Sequence, residues 1–210
     1  TFTNDAESQI IVTGSNANGI MSRTTNTSIS NLTGGIIAVN GATADGVHVT
    51  GVSGYAGNSG VINVISGTGA RIENGNFYNN GTVSATGQNA IIMDGTNQVL
   101  ELGNGTNIDG LTDGGAGEDT IVLSGGTINV GTEAINFEKI VTTANSTLSG
   151  TVNLNVSDFS DYATTAFGTS ATPSYVWNDA AGAPGVLTVA GTVNIDVDYV
   201  LTGQVGRAFS

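Results

Sequence analysis

Four carboxylates, Asp109, Asp113, Glu118 and Asp119, stand close together in the chain. Side chains that offer only oxygen are the ligands a hard cation such as calcium takes. Two other acidic pairs, Asp158 with Asp161 and Asp196 with Asp198, are of the residue type that glycoside chemistry uses, and Tyr162, Tyr175 and Trp177 supply rings on which a sugar would stack. Hydrolysis needs two carboxyl groups set across a scissile bond, and closeness in sequence does not establish that separation. Lyase chemistry also wants a base near the abstracted proton, and lysine plus arginine number 4. The single histidine, His48, sits in Gly46-Val-His-Val-Thr-Gly51, where alternation makes it an ordinary strand residue. These groups point to a protein that is not an enzyme, with calcium at the four-carboxylate cluster as its one candidate cofactor.

Charge narrows the partners. With 17 acidic residues against 4 basic ones the formal charge is −13, so phosphate backbones and anionic membrane surfaces are repelled, and nucleic acid is excluded. The acidity suits solubility, cations or a basic patch on a partner. Cysteine is absent, which removes disulfides, thiolate metal sites and Cys nucleophiles together. No apolar run approaches the roughly 20 residues that span a bilayer, and Thr1 to Ile10 has no basic segment followed by an apolar stretch. No membrane insertion of this segment is expected.

The elements that must carry these residues are short. Hydrophobic residues make up 39% of the 210, aromatics 6%, and Gly numbers 32, so the core must be built of small aliphatic side chains. β-Branched runs such as Gln9–Val12, Gly35–Val39, Gly46–Val49, Gly60–Ile65, Ala70–Ile72, Ala90–Met93, Gln98–Leu102, Thr120–Leu123, Gly126–Val130 and Asn136–Val141 read as strands. Asn-Gly and Asp-Gly pairs separate them, among them Asn18-Gly19, Asn40-Gly41, Asp45-Gly46, Asn80-Gly81 and Asp109-Gly110. Such pairs also close antiparallel hairpins, which keeps a β-sandwich as the alternative. Short strands, small cores and few aromatics match coils in which three strands and three turns make one rung, that is, an all-β parallel β-helix. In Thr151–Val156 the residues Val152, Leu154 and Val156 alternate with Asn153 and Asn155, apolar in and polar out.

The rhythm breaks between Ser157 and Pro184, where aromatics cluster and both prolines fall. The expected organisation is a solenoid over 1–156, a loop or cap insertion over 157–185 and terminal strands of the same domain over 186–210. The open ends of a solenoid are strand edges, so self-association is expected as well.

The stretch Gly81-Thr-Val-Ser-Ala-Thr-Gly-Gln-Asn-Ala-Ile-Ile92, followed by Asn97-Gln-Val-Leu-Glu-Leu-Gly-Asn-Gly-Thr-Asn-Ile-Asp-Gly110, Gly117–Gly125, Ile135–Val141 and Ser146–Gly150, resembles the passenger region of bacterial autotransporters. About seventy residues carry the likeness. It implies a right-handed parallel β-helix, type V secretion to the bacterial cell surface, and roles in adhesion, aggregation or host interaction. Gly114-Gly-Ala-Gly-Glu-Asp-Thr-Ile-Val122 is also similar to the calcium-binding nonapeptide of RTX repeats, which implies Asp119 as a ligand, with Asp109, Asp113 and Glu118 to complete the set. The plain reading of the same residues is a glycine turn between two strands. Gly168-Thr-Ser-Ala-Thr-Pro173 is similar to the nucleophile box of subtilisin-like proteases, with Ser170 as nucleophile, but the family's Met is missing and His48 lacks its His-Gly-Thr setting. A triad needs all three roles.

The expected function is a non-enzymatic secreted or cell-surface adhesin or stalk that presents an acidic surface to a host-cell or bacterial surface protein or glycan. The alternatives are a calcium-ordered, self-assembling surface-layer or filament subunit, and a carbohydrate-active β-helix enzyme.

Overall fold

The computed structural model describes residues 1–144 and 146–156 and, as backbone strands, 166–168, 174–177, 185–189 and 192–197. Every described element is a strand, and the parallel strands stack as a β-solenoid. One face is a seven-stranded parallel sheet of β1 (Phe2–Asn4), β4 (Ser28–Asn31), β7 (Tyr55–Asn58), β10 (Asn76–Asn79), β12 (Val99–Leu102), β14 (Thr120–Leu123) and β17 (Lys139–Thr142), in that order. The second face stacks β2 (Gln9–Val12), β5 (Ile36–Val39), β8 (Val61–Val64), the start of β11 (Thr82–Met93), the start of β13 (Asn107–Asp113), β15 (Gly126–Asn129) and β18 (Ser146–Ser149). The third stacks β3 (Ile20–Ser22), β6 (Val47–Val49), β9 (Ala70–Ile72), the ends of β11 and β13, β16 (Glu133–Phe137) and β19 (Thr151–Val156). Strands β11 and β13 run round the corner and join these two faces into one sheet.

Alternation along each strand builds the core. On the first face Ile29, Ala56, Phe77, Leu100, Ile121 and Ile140 lie in register and are buried. The largest of them, Phe77, sits over the smallest, Ala56, so the volumes complement each other. Ile37, Ile62 and Val83 stack likewise on the second face. A parallel ladder suits these branched chains because each packs on a like neighbour in the next coil.

The first-face strands of the four N-terminal coils end on Asn4, Asn31, Asn58 and Asn79, all buried. Each amide donates from Nδ2 to the Oδ1 of the next, at 2.7, 2.7 and 2.8 Å, and Asn79 closes the series on the Gly81 carbonyl at 3.0 Å. Buried amides left unpaired would be costly, so the ladder forms as a unit. It also demands bare backbone beside it: a Cβ on Gly60 would lie 2.2 Å from the Gly35 carbonyl oxygen. In the fifth coil the position becomes Leu102, and Thr106 Oγ1 takes over the Asn79 carbonyl at 2.6 Å.

Coils shorten along the chain. Equivalent residues are 27 apart from Asn4 to Asn31 and from Asn31 to Asn58, and 21 apart from Asn58 to Asn79. Later they are 21 apart from Gln98 to Asp119 and 19 from Asp119 to Glu138. Both corners flanking the third face contribute: that between second and third faces is residues 13–19 and 40–46 in the first two coils but contracts to Gly110 and Gly150 later, and that between third and first faces goes from 23–27 and 50–54 to Glu138 alone. Gly110 turns in place with φ of +136°, a conformation a side chain would strain.

One expected strand divides. Asn136–Val141 is two elements, because Glu138 forms a corner: its N–H donates to the Asp119 carbonyl at 3.1 Å and its Oε2 accepts from the Asp119 N–H at 2.6 Å. Most of the expected insertion lies outside the described residues. Its described parts are β20 (Ala166–Gly168) and β21 (Ser174–Trp177), antiparallel to each other, with β21 antiparallel to β22 (Gly185–Val189). Strand β22 runs parallel to β18, and β23 (Thr192–Val197) parallel to β19.

Candidate functional site

Stacking parts the four clustered carboxylates: Asp109 lies on the second face beside the Gly110 corner, whereas Asp113, Glu118 and Asp119 border the corner between β13 and β14. Asp109 is exposed and accepts from Ser84 Oγ at 3.1 Å and Thr86 Oγ1 at 2.5 Å, bracing the second face. Asp113, at the other end of β13, accepts from the Gly115 N–H at 2.9 Å and Asn136 Nδ2 at 2.8 Å. Glu118 is exposed, and its N–H donates to Asn97 Oδ1 at 3.1 Å. Asp119 is fully buried at the corner before β14, where its Oδ1 accepts from the Gln98 N–H at 2.7 Å while Oδ2 is buried without a partner. Among the described residues no three carboxylate or imidazole groups gather closely enough to hold a metal ion, so the four do not form one ligand set.

Asp119 is nonetheless chemically unusual. Burial pushes its carboxyl up to about 6, and the charges of Glu138 and Asp113 add to this against the opposing Gln98 hydrogen bond. Glu138 is raised too, by burial first and then by Glu118. An acid that is harder to ionise when folded holds its proton longer than the unfolded chain does.

The second polar centre spans the third face and was not visible as a motif. On the outward side of β6, β9 and β11, His48, Arg71 and Ile92 are in register. His48 is 14% exposed, with Nδ1 3.2 Å from Asp45 Oδ2 and 3.1 Å from Asn18 Nδ2, and Nε2 2.8 Å from Glu73 Oε1. With the proton on Nε2 the ring donates to Glu73 and accepts from the Asn18 amide. Both ring nitrogens are thus engaged, and the ring ties together three coils. Arg71 does the same one position on: Nε lies 3.4 Å from Asp45 Oδ2, Nη1 2.5 Å from Asp94 Oδ2, and Nη2 donates to Thr68 Oγ1 at 3.3 Å. Asp45 Oδ1 in turn accepts from the Thr68 N–H at 3.2 Å.

Beside this network is a cleft of about 370 Å³ lined by Thr43, Asp45, Gly67, Thr68, Arg71, Gln88 and Asn89. It exists because the corner in β11 slips register against β13 between Ser84 and Asn89 and again before Ile91, so residues 86–89 stand out as a wall. The signal that points to it is the coil spacing: 23 residues separate Asp45 from Thr68 and Arg71 from Asp94.

On the first face Tyr55 and Tyr78 lie outward, with Glu101 in register beside Tyr78. Burial and then the Glu101 charge raise both phenols. Ser170, Asp158, Asp161, Tyr162 and Asp198 lie outside the described residues. Asp196 is placed on β23 and Tyr175 and Trp177 on β21 as backbone alone.

The fold and its polar centres define the chain as a parallel β-solenoid with outward charged networks. No family model, curated protein or solved structure matches it.

Proposed function

We propose that the chain is a non-enzymatic adhesin or stalk domain, of the autotransporter-passenger kind, exported to the bacterial surface, where its acidic faces meet a host-cell or bacterial surface protein or glycan. One observation carries this reading: hydrogen bonds and ion pairs link coil to coil on the faces and at the corners, which makes a stiff rod of the kind a surface stalk requires. The basic residue Arg71 is absorbed by Asp45 and Asp94, which leaves the outward charge acidic. Strand edges at the ends of the solenoid give the same rod a route to self-association and hence to cell–cell aggregation. The test is to couple the chain to beads, or display it on a non-adherent bacterium, and to score adhesion to cells and mutual clumping against an uncoated control. Adhesion or clumping above that control is the expected result, and neither appearing at any density overturns the reading.

A second reading, a calcium-ordered self-assembling surface-layer or filament subunit, draws on Asp119, whose buried Oδ2 has no partner. It expects a melting temperature that falls in EDTA and recovers with calcium. A melting temperature unmoved by EDTA rules it out.

A further inference from the structure

We propose that the cleft between Asp45, Arg71 and the Gln88–Asn89 wall is a saccharide-binding site that takes a neutral, hydroxyl-rich sugar unit. The proposal deepens the adhesive reading and rests on it.

The first feature that fits a sugar is shape. A volume of about 370 Å³ falls within the roughly 300–1,000 Å³ of small-molecule sites, and the cleft lies at a corner of the rod, where a chain running alongside would reach it.

The second is the chemistry of the lining. Two threonines, a carboxylate, a guanidinium and two amides face the space, and none of the lining side chains is a large apolar one, so the ligand must itself be covered with hydrogen-bonding groups. The floor is held in place beforehand: Asp45 is fixed by the Thr68 N–H and Arg71, and Arg71 by Asp45, Asp94 and Thr68. Binding therefore orders little there. The wall is different. Gln88 is exposed and Asn89 half-buried, and among the described residues neither side-chain amide is engaged by a hydrogen bond. Each offers a donor and an acceptor on one planar group, the pairing that adjacent sugar hydroxyls can use together.

The third is charge. The Arg71 guanidinium is shared between Asp45 and Asp94, and Glu73 lies beyond His48. No uncompensated positive charge is left to attract a uronic or sialic acid, and the chain as a whole carries −13. A neutral sugar is the class that this environment accepts.

The experiment uses the whole chain, ¹⁵N-labelled, titrated with lactose, cellobiose and N,N′-diacetylchitobiose as neutral probes and with digalacturonic acid as the acidic one. The expected result is saturable NMR shifts for at least one neutral probe at the backbone of Gly67, Thr68, Gln88 and Asn89 and at Arg71 Nε. The double variant Gln88→Ala/Asn89→Ala should weaken that probe by about tenfold or more, the loss that removing two hydrogen bonds brings, with the melting temperature unchanged. No shift at the cleft with any neutral probe overturns the proposal. So does tighter binding of the acidic probe, a response confined to Tyr55 and Tyr78, or affinity that survives the double variant. If beads coated with the chain adhere to cells but the cleft is silent toward every neutral sugar, the cleft proposal falls and the adhesive reading stands. Sugar binding without bead adhesion has the opposite outcome: the cleft stands and the adhesive reading falls.

Discussion

The four N-terminal coils and the coils that follow them stack in the same parallel register by different internal means. In the first set a column of buried amides, Asn4, Asn31, Asn58 and Asn79, runs down the inside of one corner. In the second set the corresponding positions are Leu102 and Leu123, both fully buried, and then Thr142. The amide column is directional and fails if one member is missing, because the neighbours above and below keep their desolvated groups. The leucine column is non-directional and tolerates change in proportion to the volume removed. Coil length follows the same division: the coils joined by the ladder reach 27 residues, whereas a later one contracts to 19.

The amide column is most vulnerable at its middle. Asn58→Ala leaves Asn31 Nδ2 and Asn79 Oδ1 without their mutual bridge, and at roughly 1–3 kcal/mol for each stranded group the loss should be about 4 kcal/mol by denaturant unfolding. Leu123→Ala in the apolar column should cost about 3 kcal/mol, within the usual range for a buried leucine. Asn58→Leu separates the two mechanisms: it restores volume but no hydrogen bonds. It should recover little of the loss, whereas Leu123→Met should recover most of its own. Equal rescue in both columns would show that the amides act only as filler.

The later coils hold the pH sensitivity. The Asp119 carboxyl is raised from 3.8 to about 6 on folding, so between those values the folded chain binds more protons than the unfolded one, and stability declines as pH rises through that window. Asp119→Asn keeps an acceptor for the Gln98 N–H and removes the charge. It should stabilise the protein by about 1–2 kcal/mol at pH 7.5 and by almost nothing below pH ~4, as read from melting curves across pH. A pH-independent difference would mean that the carboxyl is not the source. The smallest effect belongs to the outer network of the N-terminal coils: Arg71→Ala should cost about 1 kcal/mol or less, because its ion pairs are partly solvated, and the cost should shrink further in high salt.

Strands on the second and third faces were legible because their alternation is apolar. Gln9–Val12 and Ala70–Ile72 coincide with elements, as does Thr120–Leu123 on the first face of a later coil, where Ile121 and Leu123 are both apolar and buried. The first-face strands of the early coils were not legible. Ser28-Ile-Ser-Asn31, Tyr55-Ala-Gly-Asn58 and Asn76-Phe-Tyr-Asn79 each place one apolar residue and one buried Asn inward, and asparagine in a sequence reads as a turn residue. Asn136–Val141 reads as one strand because Glu138, flanked by β-formers, carries no local sign that it caps another coil. The four carboxylates are legible as a run of oxygen donors, but which corner each one borders, Asp109 beside Gly110 and the other three between β13 and β14, is not.

Composition, alternation and the glycine-marked turns by themselves determined that this chain is all-β, acidic, free of disulfides and built of short stacked strands, because those properties depend on residue type and on a period of two. The tertiary structure alone decided which polar residues share a place. Side chains that meet across coils are separated by as few as 20 residues, Glu133 with Asn153, and as many as 30, Asn18 with His48, and that spacing changes from coil to coil with corner length. Asn58 therefore entered the core, Asp119 lost its water, and Asp45, Arg71 and Gln88 came to line one cleft.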